Sequence, residues 1–261
     1  MSASREIWQL DTERIGRRVL VYEQVESTNA LAQTLAAEDA ADGLVVIADH
    51  QTAGRGQYGR VWVSRPGSSL LMSVVVRPPA GLRQPVVLTA WAAVAVADAV
   101  LALTGAQARI KWPNDILVRG KKVCGILIEQ TATASGLITV AGVGLNLAHT
   151  ADEFARANLP DATSLSIISG GLIDPRAAAN SVIRKLDFEY ARLLRGERVA
   201  VEADWKWRVG LLGRQVLIEH TGGATSVGRL RDMSFDGLEV EDAEGYLRVV
   251  APESVAHIRA A

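Results

Sequence analysis

The sequence predicts a mixed α/β domain followed by a small all-β unit, with the change of pattern near residue 210. Three observations carry that expectation. Strand-like runs of β-branched residues alternate with helix-like segments through most of the chain, and a long Ala-rich apolar run sits among them. From about Gly210 onward only short strands separated by turns remain.

The segment STNALAQTLAAEDA reads as a helix, with Ser27 in a good N-cap position and Leu31 and Leu35 on one face. GLVVIADHQ, from Gly43, is a strand that turns polar towards its end, and SSLLMSVVVRPP is a second strand stopped by Pro78 and Pro79. Between them lies AGRGQYGRVW, Ala53 to Trp62, a glycine loop from strand to strand. The apolar run from Pro85 to Gly105 approaches the length of a membrane span, but its alanines, Thr89 and Asp98 make it a buried core helix. RIKWPNDILV and KKVCGILIEQ read as two strands around a turn at Arg119 and Gly120, and GLITVAGVGLN adds another. A helix starts with Asp174 as N-cap and Pro175 at its first position, and runs to about Arg195 before Gly196. RQVLIEH, TSVGRLRDM, SFDGLEVED and AEGYLRVVAP then suggest a small barrel or sandwich. The expected domains are therefore 1–209 and 210–261.

Composition removes several classes of function. Lys plus Arg number 28 against 29 Asp plus Glu, so no overall field draws nucleic acid or an anionic membrane, and any anion site must be local. The lone cysteine, Cys124, excludes an internal disulfide framework and fits a reducing compartment. His50, His149, His220 and His257 share no helical spacing, which argues against a histidine metal site. The N-terminus carries charges throughout and has no apolar core segment, so a secretory signal is not expected and the cytoplasm is.

The glycine loop matches two fingerprints and satisfies neither. Gly54, Gly56 and Gly59 fit a dinucleotide-binding G-x-G-x-x-G, yet a strand rather than a helix follows and no acid occurs between Asp49 and Asp98. With Val61 the loop fits a kinase phosphate loop, but the V-A-I-K, H-R-D and D-F-G partners are missing. A plain structural hairpin is the alternative. Charge argues for a site: Arg55, Arg60 and Arg65 stand here without an acid, and Arg109, Lys111, Arg119, Lys121 and Lys122 stand around one acid, Asp115. If the two basic segments converge, glycine N–H groups and these cations make a cradle for a polyphosphate.

These residues resemble the biotin protein ligases. The similarity rests on ESTN from Glu26, HQTAGRGQYGRVW from His50, KWPND from Lys111, GKKVCGILIE from Gly120, GVGLN from Gly142 and DATSL from Asp161, in family order. It implies a class II synthetase-like catalytic domain followed by an SH3-like barrel. The implied activity is adenylation of biotin with ATP and Mg²⁺, then transfer to one lysine of a biotin carboxyl carrier domain of a biotin-dependent carboxylase. A carboxylate attacking an α-phosphate brings anion to anion, so cations and alignment are needed and an enzyme nucleophile is not.

By the same resemblance, Ser27, Thr28, Asn29 and Gln51 are polar contacts for biotin, and Arg55, Gly56 and Gln57 belong to the loop that closes over it. Lys122 matches the lysine on the biotin carboxyl and α-phosphate, with Gly125 beside it. Trp62 and Trp112 supply apolar walls. Arg60, Lys111, Asn114 and Asn146 fall on the nucleotide side, and Asp115 is the candidate for Mg²⁺. Local alternatives stay open: Ser27 as a helix cap, Trp112 as core, Asp115 as an ion-pair partner of Lys122 or Lys111, Cys124 as a small buried apolar residue.

Where many members read GRGR this chain reads GRGQ, so Gln57 stands where an arginine often retains the adenylate. Only 26 residues precede Ser27, too few for the N-terminal winged helix of the DNA-binding members, so no DNA binding is expected. A homodimer is left open. The rival readings are a lipoate or octanoate ligase-type transferase, disfavoured by the missing G-G-G motif, and a non-catalytic biotin-binding regulator.

Overall fold

The computed structural model describes residues 4–37, 42–133 and 136–261. Eight strands form one sheet: β1 (Glu6–Trp8), β2 (Val19–Val25), β3 (Val45–Gln51), β4 (Ser69–Val76), β5 (Arg109–Lys111), β6 (Asp115–Val118), β7 (Lys121–Thr133) and β8 (Gly136–Asn146). Their order is β1-β2-β3-β4-β8-β7-β6-β5, with β2 and β3 parallel and every other neighbour antiparallel. Six helices follow the same chain: α1 (Thr28–Ala37), α2 (Pro85–Thr104), α3 (Ala151–Arg156), α4 (Leu165–Ser169), α5 (Pro175–Leu194) and α6 (Arg198–Val209).

The sheet separates two apolar layers. On one face α2 packs on α5 and α6, and Trp91 and Tyr190 lie fully buried with ring centroids 5.2 Å apart. That position explains why α2 is apolar on every side. Helix α2 is long and apolar enough to cross a membrane, yet 67% of its most apolar stretch is buried inside the protein. On the other face Ala32 and Ala36 of α1 pack against Tyr22, Val46, Val75 and Val140. Residues 38–40 of the expected first helix lie outside the described residues.

The expected caps are present. Ser27 Oγ accepts from Ala30 N at 3.5 Å, and the Asp174 carboxylate accepts from the amides of Arg176 and Ala177. One expected element divides. RIKWPNDILV is a hairpin of β5 and β6, because Pro113 has no N–H for a ladder. Arg119 and Gly120 both take positive φ (52° and 79°) in the next tight turn.

The last strands, β9 (Gln215–His220), β10 (Thr225–Met233), β11 (Leu238–Glu241), β12 (Leu247–Val250) and β13 (Val255–Ala260), form a second, antiparallel sheet ordered β12-β11-β10-β9-β13. It is the small β unit that follows the α/β part. It is fastened by aromatic contacts: Trp112 donates from Nε1 to Val255 O at 3.0 Å, and its ring lies 5.6 Å from Trp205, which lies 5.4 Å from Phe235.

Candidate functional site

A cavity of about 720 Å³ opens on the α1 face of the large sheet, between the N-terminus of α1, the glycine loop and strands β7 and β8. Its room comes from glycines. On this face β8 places Gly142 and Gly144 between Val140 and Asn146, while Ala141, Val143 and Leu145 enter the core behind. Gly144 pairs across the ladder with Gly125. A methyl group on Gly144 would lie 2.7 Å from the Trp62 indole, and one on Gly142 would overlap the Asn29 amide oxygen. The GVGLN motif therefore makes space for two side chains that reach into the cavity.

Lys122 is aimed by a β-bulge. Opposite β6, Leu117 pairs with Lys122 and Ile116 with Cys124, so Val123 is the extra residue. Regular alternation would send Lys122 and Gly125 to opposite faces. With the bulge, Val123 and Cys124 are both buried, and Lys122 Nζ comes within 3.3 Å of where a Gly125 side chain would start. The ammonium lies 2.5 Å from Asp115 Oδ1 and 5.8 Å from the Trp62 ring centroid. The DATSL segment holds the lysine backbone: Lys122 N donates to Asp161 O (2.6 Å) and Thr163 N to Lys122 O (2.8 Å). Asn146 Nδ2 donates to Thr163 O at 3.0 Å, which leaves Oδ1 as an acceptor at the cavity wall. Cys124 is fully buried, and burial pushes its thiol far up, so the neighbouring sulfur is no nucleophile.

At the opposite end a chain of polar groups crosses three elements. Thr28 donates to Gln51 Oε1 from both its amide (2.7 Å) and its hydroxyl (3.0 Å), so the Gln51 Nε2 hydrogens are left for another partner. Ser73 Oγ, fully buried on β4, lies 2.7 Å from Thr28 Oγ1 and 2.5 Å from Asn29 Oδ1. Asn29 Nδ2 donates to Glu129 Oε2 at 2.7 Å. Glu129 also receives Arg55 from the glycine loop, Nη2 to Oε2 at 3.1 Å.

The loop itself is a closed hairpin. Trp62 N donates to Gly54 O (3.0 Å), Gly56 N to Arg60 O (2.7 Å), and Gln57–Gly59 form a 3₁₀ turn at its tip. On the far wall the His149 ring stacks on Phe154 with centroids 5.2 Å apart. Ser68 Oγ donates to Arg65 O, so it accepts from His149 Nε2–H at 3.0 Å. Burial lowers the His149 pKa and keeps the ring neutral, with the lone pair on Nδ1. Arg65 and Glu153 close that wall with a 2.7 Å ion pair.

Of the residues given site roles by the resemblance, all but Lys111 line this cavity; of the second basic segment only Lys122 does, while Arg109, Arg119 and Lys121 lie outside the lining. Lys111 stands on β5, where only Ile110 turns inward, and its side chain is exposed away from the lining. Trp112 is both core and wall, 4% exposed and facing the cavity. Asp115 pairs with Lys122, as the local alternative allowed. Among the described residues no group of three or more His, Cys, Asp or Glu is placed to hold a metal. Sequence reasoning left Ser73, Glu129 and His149 without a role. Glu129 closes the GILIE motif, and alternate glycines in GVGLN were the signal for the cavity face.

A mixed sheet carrying a cationic glycine loop, with amide and hydroxyl groups at one end of its cavity and a lysine at the other, defines an α/β scaffold built round one elongated polar site. The Biotin/lipoate A/B protein ligase family matches residues 21–146. The chain is 36% identical over 254 residues to a Biotin–[acetyl-CoA-carboxylase] ligase of Mycobacterium tuberculosis, covering 93% of this chain and 90% of that one. It is 33% identical over 255 residues to the Bifunctional ligase/repressor BirA of Bacillus spizizenii, covering 97% of this chain and 78% of the relative. Its fold superposes on a biotin protein ligase from Aquifex aeolicus in complex with biotin and ATP with a TM-score of 0.75, at 22% identity, over 93% of this chain and 99% of the other. The chain belongs to the biotin protein ligase family.

Proposed function

We propose that the protein activates biotin with ATP as biotinyl-5′-AMP and passes the biotinyl group to a lysine of a biotin carboxyl carrier domain. The observation that carries this reading is the convergence of Arg55 and Lys122 on one glycine-floored cavity that also holds the Thr28–Gln51–Ser73 polar end. The bicyclic ring of biotin is apolar with a polar ureido edge. The Gln51 Nε2 hydrogens and the Ser27 hydroxyl are donors for the ureido oxygen, and the Trp62 indole, packed on Gly125 and Gly144, gives the ring system an apolar face. Lys122 meets the carboxylate at the other end. Asn146 Oδ1 accepts from the exocyclic amine of adenine, and the Trp62 indole lies beside that wall.

In the first step a biotin carboxylate oxygen attacks the α-phosphorus, the new O–P bond forms and the bond to pyrophosphate breaks. Lys122 and Arg55 offset charge on the carboxylate and the α-phosphate, and the enclosed cavity strengthens those contacts. In the second step the neutral carrier amine attacks the acyl carbonyl, AMP leaves, and the amine loses a proton. Magnesium bound with ATP would supply further charge neutralisation of the phosphates. Asp115 is the carboxylate on the Lys122 side that is placed to add a ligand.

Residues 1–209 and 210–261 act as two domains, a division supported by the separate five-stranded sheet of the second part, and His257 of β13 among the lining residues supports a shared cavity. A cytoplasmic site of action suits a carrier partner, a near-neutral chain gives DNA no field, and the open strand edges β1 and β5 offer a place for a carrier or a second copy to add a strand. Biotin-dependent ATP–pyrophosphate exchange tests the reading. Exchange that requires lipoate, or tight biotin binding with no exchange, would replace it.

A further inference from the structure

The ladder that fixes Asn29 continues into the glycine loop, and one carboxylate makes the join. Glu129 Oε2 accepts from Asn29 Nδ2 at 2.7 Å and from Arg55 Nη2 at 3.1 Å, while Arg55 Nη1 lies 3.1 Å from Oε1. Asn29 is held in turn by Ser73 on the sheet floor, so a continuous polar chain runs from β4 through α1 and β7 to the loop. Nothing in the adenylation chemistry asks for a carboxylate here, beside a site that must take two anionic substrates.

We infer that Glu129 is a positioning residue for the adenylate site, clamping the Arg55 guanidinium so that the glycine loop presents fixed N–H donors to the bound anion; the inference rests on the biotinyl-adenylate reading above. The donor count permits it. Arginine has five N–H donors; Nη2 spends one on Glu129 Oε2 with Nη1 alongside Oε1, so at least three remain for a ligand. The loop needs such an anchor, because Arg55 is flanked by Gly54 and Gly56 and its side chain is 44% exposed. Exposure of that order leaves the pair little value for folding stability, so its effect falls on where the guanidinium points rather than on whether the protein folds.

The test uses Glu129→Ala, Glu129→Gln, Arg55→Ala and the Glu129→Ala/Arg55→Ala double variant of the full chain. Glutamine is informative, since its amide nitrogen is a donor and accepts from neither the Asn29 NH₂ nor the guanidinium, which leaves a single uncharged oxygen for both. Glu129→Ala is expected to raise the KM for biotin and the release rate of biotinyl-5′-AMP about tenfold, with a smaller loss of the exchange rate at saturating biotin than Arg55→Ala causes. In the double variant the loss of Glu129 adds little to the loss of Arg55. Tryptic cleavage after Arg55 in the ligand-free protein is expected to be faster in both Glu129 variants than in the wild type. Additive effects in the double variant, or unchanged cleavage after Arg55, would overturn the inference. Absence of biotin-dependent exchange in the wild type refutes the ligase reading instead, and the cleavage rates still decide the clamp.

Discussion

Lys122 Nζ and Asp115 Oδ1 lie 2.5 Å apart on neighbouring strands, and the bulge at Val123 turns the ammonium into the cavity rather than the core. In the proposed mechanism the pair orients the lysine that meets the reacting carboxylate. Lys122→Met is expected to lower biotin-dependent pyrophosphate exchange about 10²–10³-fold while the fold persists, since a preorganised cation is lost from the transition state. Asp115→Asn frees the ammonium and costs about tenfold. Steady-state exchange rates at saturating substrates check both, and near-wild-type turnover by Lys122→Met would remove this lysine from the mechanism.

Gly144→Ala places a methyl group 2.7 Å from the Trp62 indole. The expected result is a displaced loop, a raised KM for ATP and biotin, and a thermal midpoint lowered by overpacking worth about 1–3 kcal/mol. Trp62→Ala in the same chain restores the midpoint without restoring substrate affinity. Recovery of affinity in the double variant would mean that the indole is not part of the ligand wall.

Gln57 opens the 3₁₀ turn at the loop tip and lines the cavity. Replacing it by arginine adds a cation to the wall around the adenylate. Gln57→Arg is expected to slow release of biotinyl-5′-AMP by about tenfold, which a trap experiment on the preformed intermediate measures. An unchanged release rate would show that this position does not control retention.

His149 supplies a pH dependence of stability. Burial lowers its pKa below the ordinary 6.5, so the unfolded chain binds more protons than the folded one as the medium acidifies. The stabilising contribution is present above pH 6.5 and is lost as pH falls through the lowered value. His149→Gln is expected to flatten that slope when thermal midpoints are compared between about pH 7.5 and about pH 5. Equal slopes in the two proteins would exclude the imidazole as the source.

Much of this was legible because periodicity and turn chemistry are local. Asp174, Pro175 and Gly196 bracket a helix that the structure ends at Leu194, and Gly105 closes α2 in the left-handed conformation. The site residues were legible as motifs, but their arrangement was not. A bulge at Val123 depends on the register of β7 against β6, and one extra residue there reverses which side Lys122 faces. Lys111 shows the converse: a motif cation whose strand turns it outward. Ser73 and Glu129 were silent because their partners, Asn29 and Arg55, lie far along the chain. Helix α6 gave a weak signal because its charged residues leave only Val201, Trp205 and Val209 buried.

The most direct test of the account is transfer to a carrier. Purified protein, ATP, Mg²⁺ and biotin are incubated with a biotin carboxyl carrier domain, and the carrier is analysed by intact mass and by mapping of the modified residue. A single biotinyl group on one lysine, lost when that lysine is replaced by arginine and when Lys122 is replaced by methionine, is the predicted result. Absence of transfer from biotin, or transfer of lipoate in its place, would contradict it.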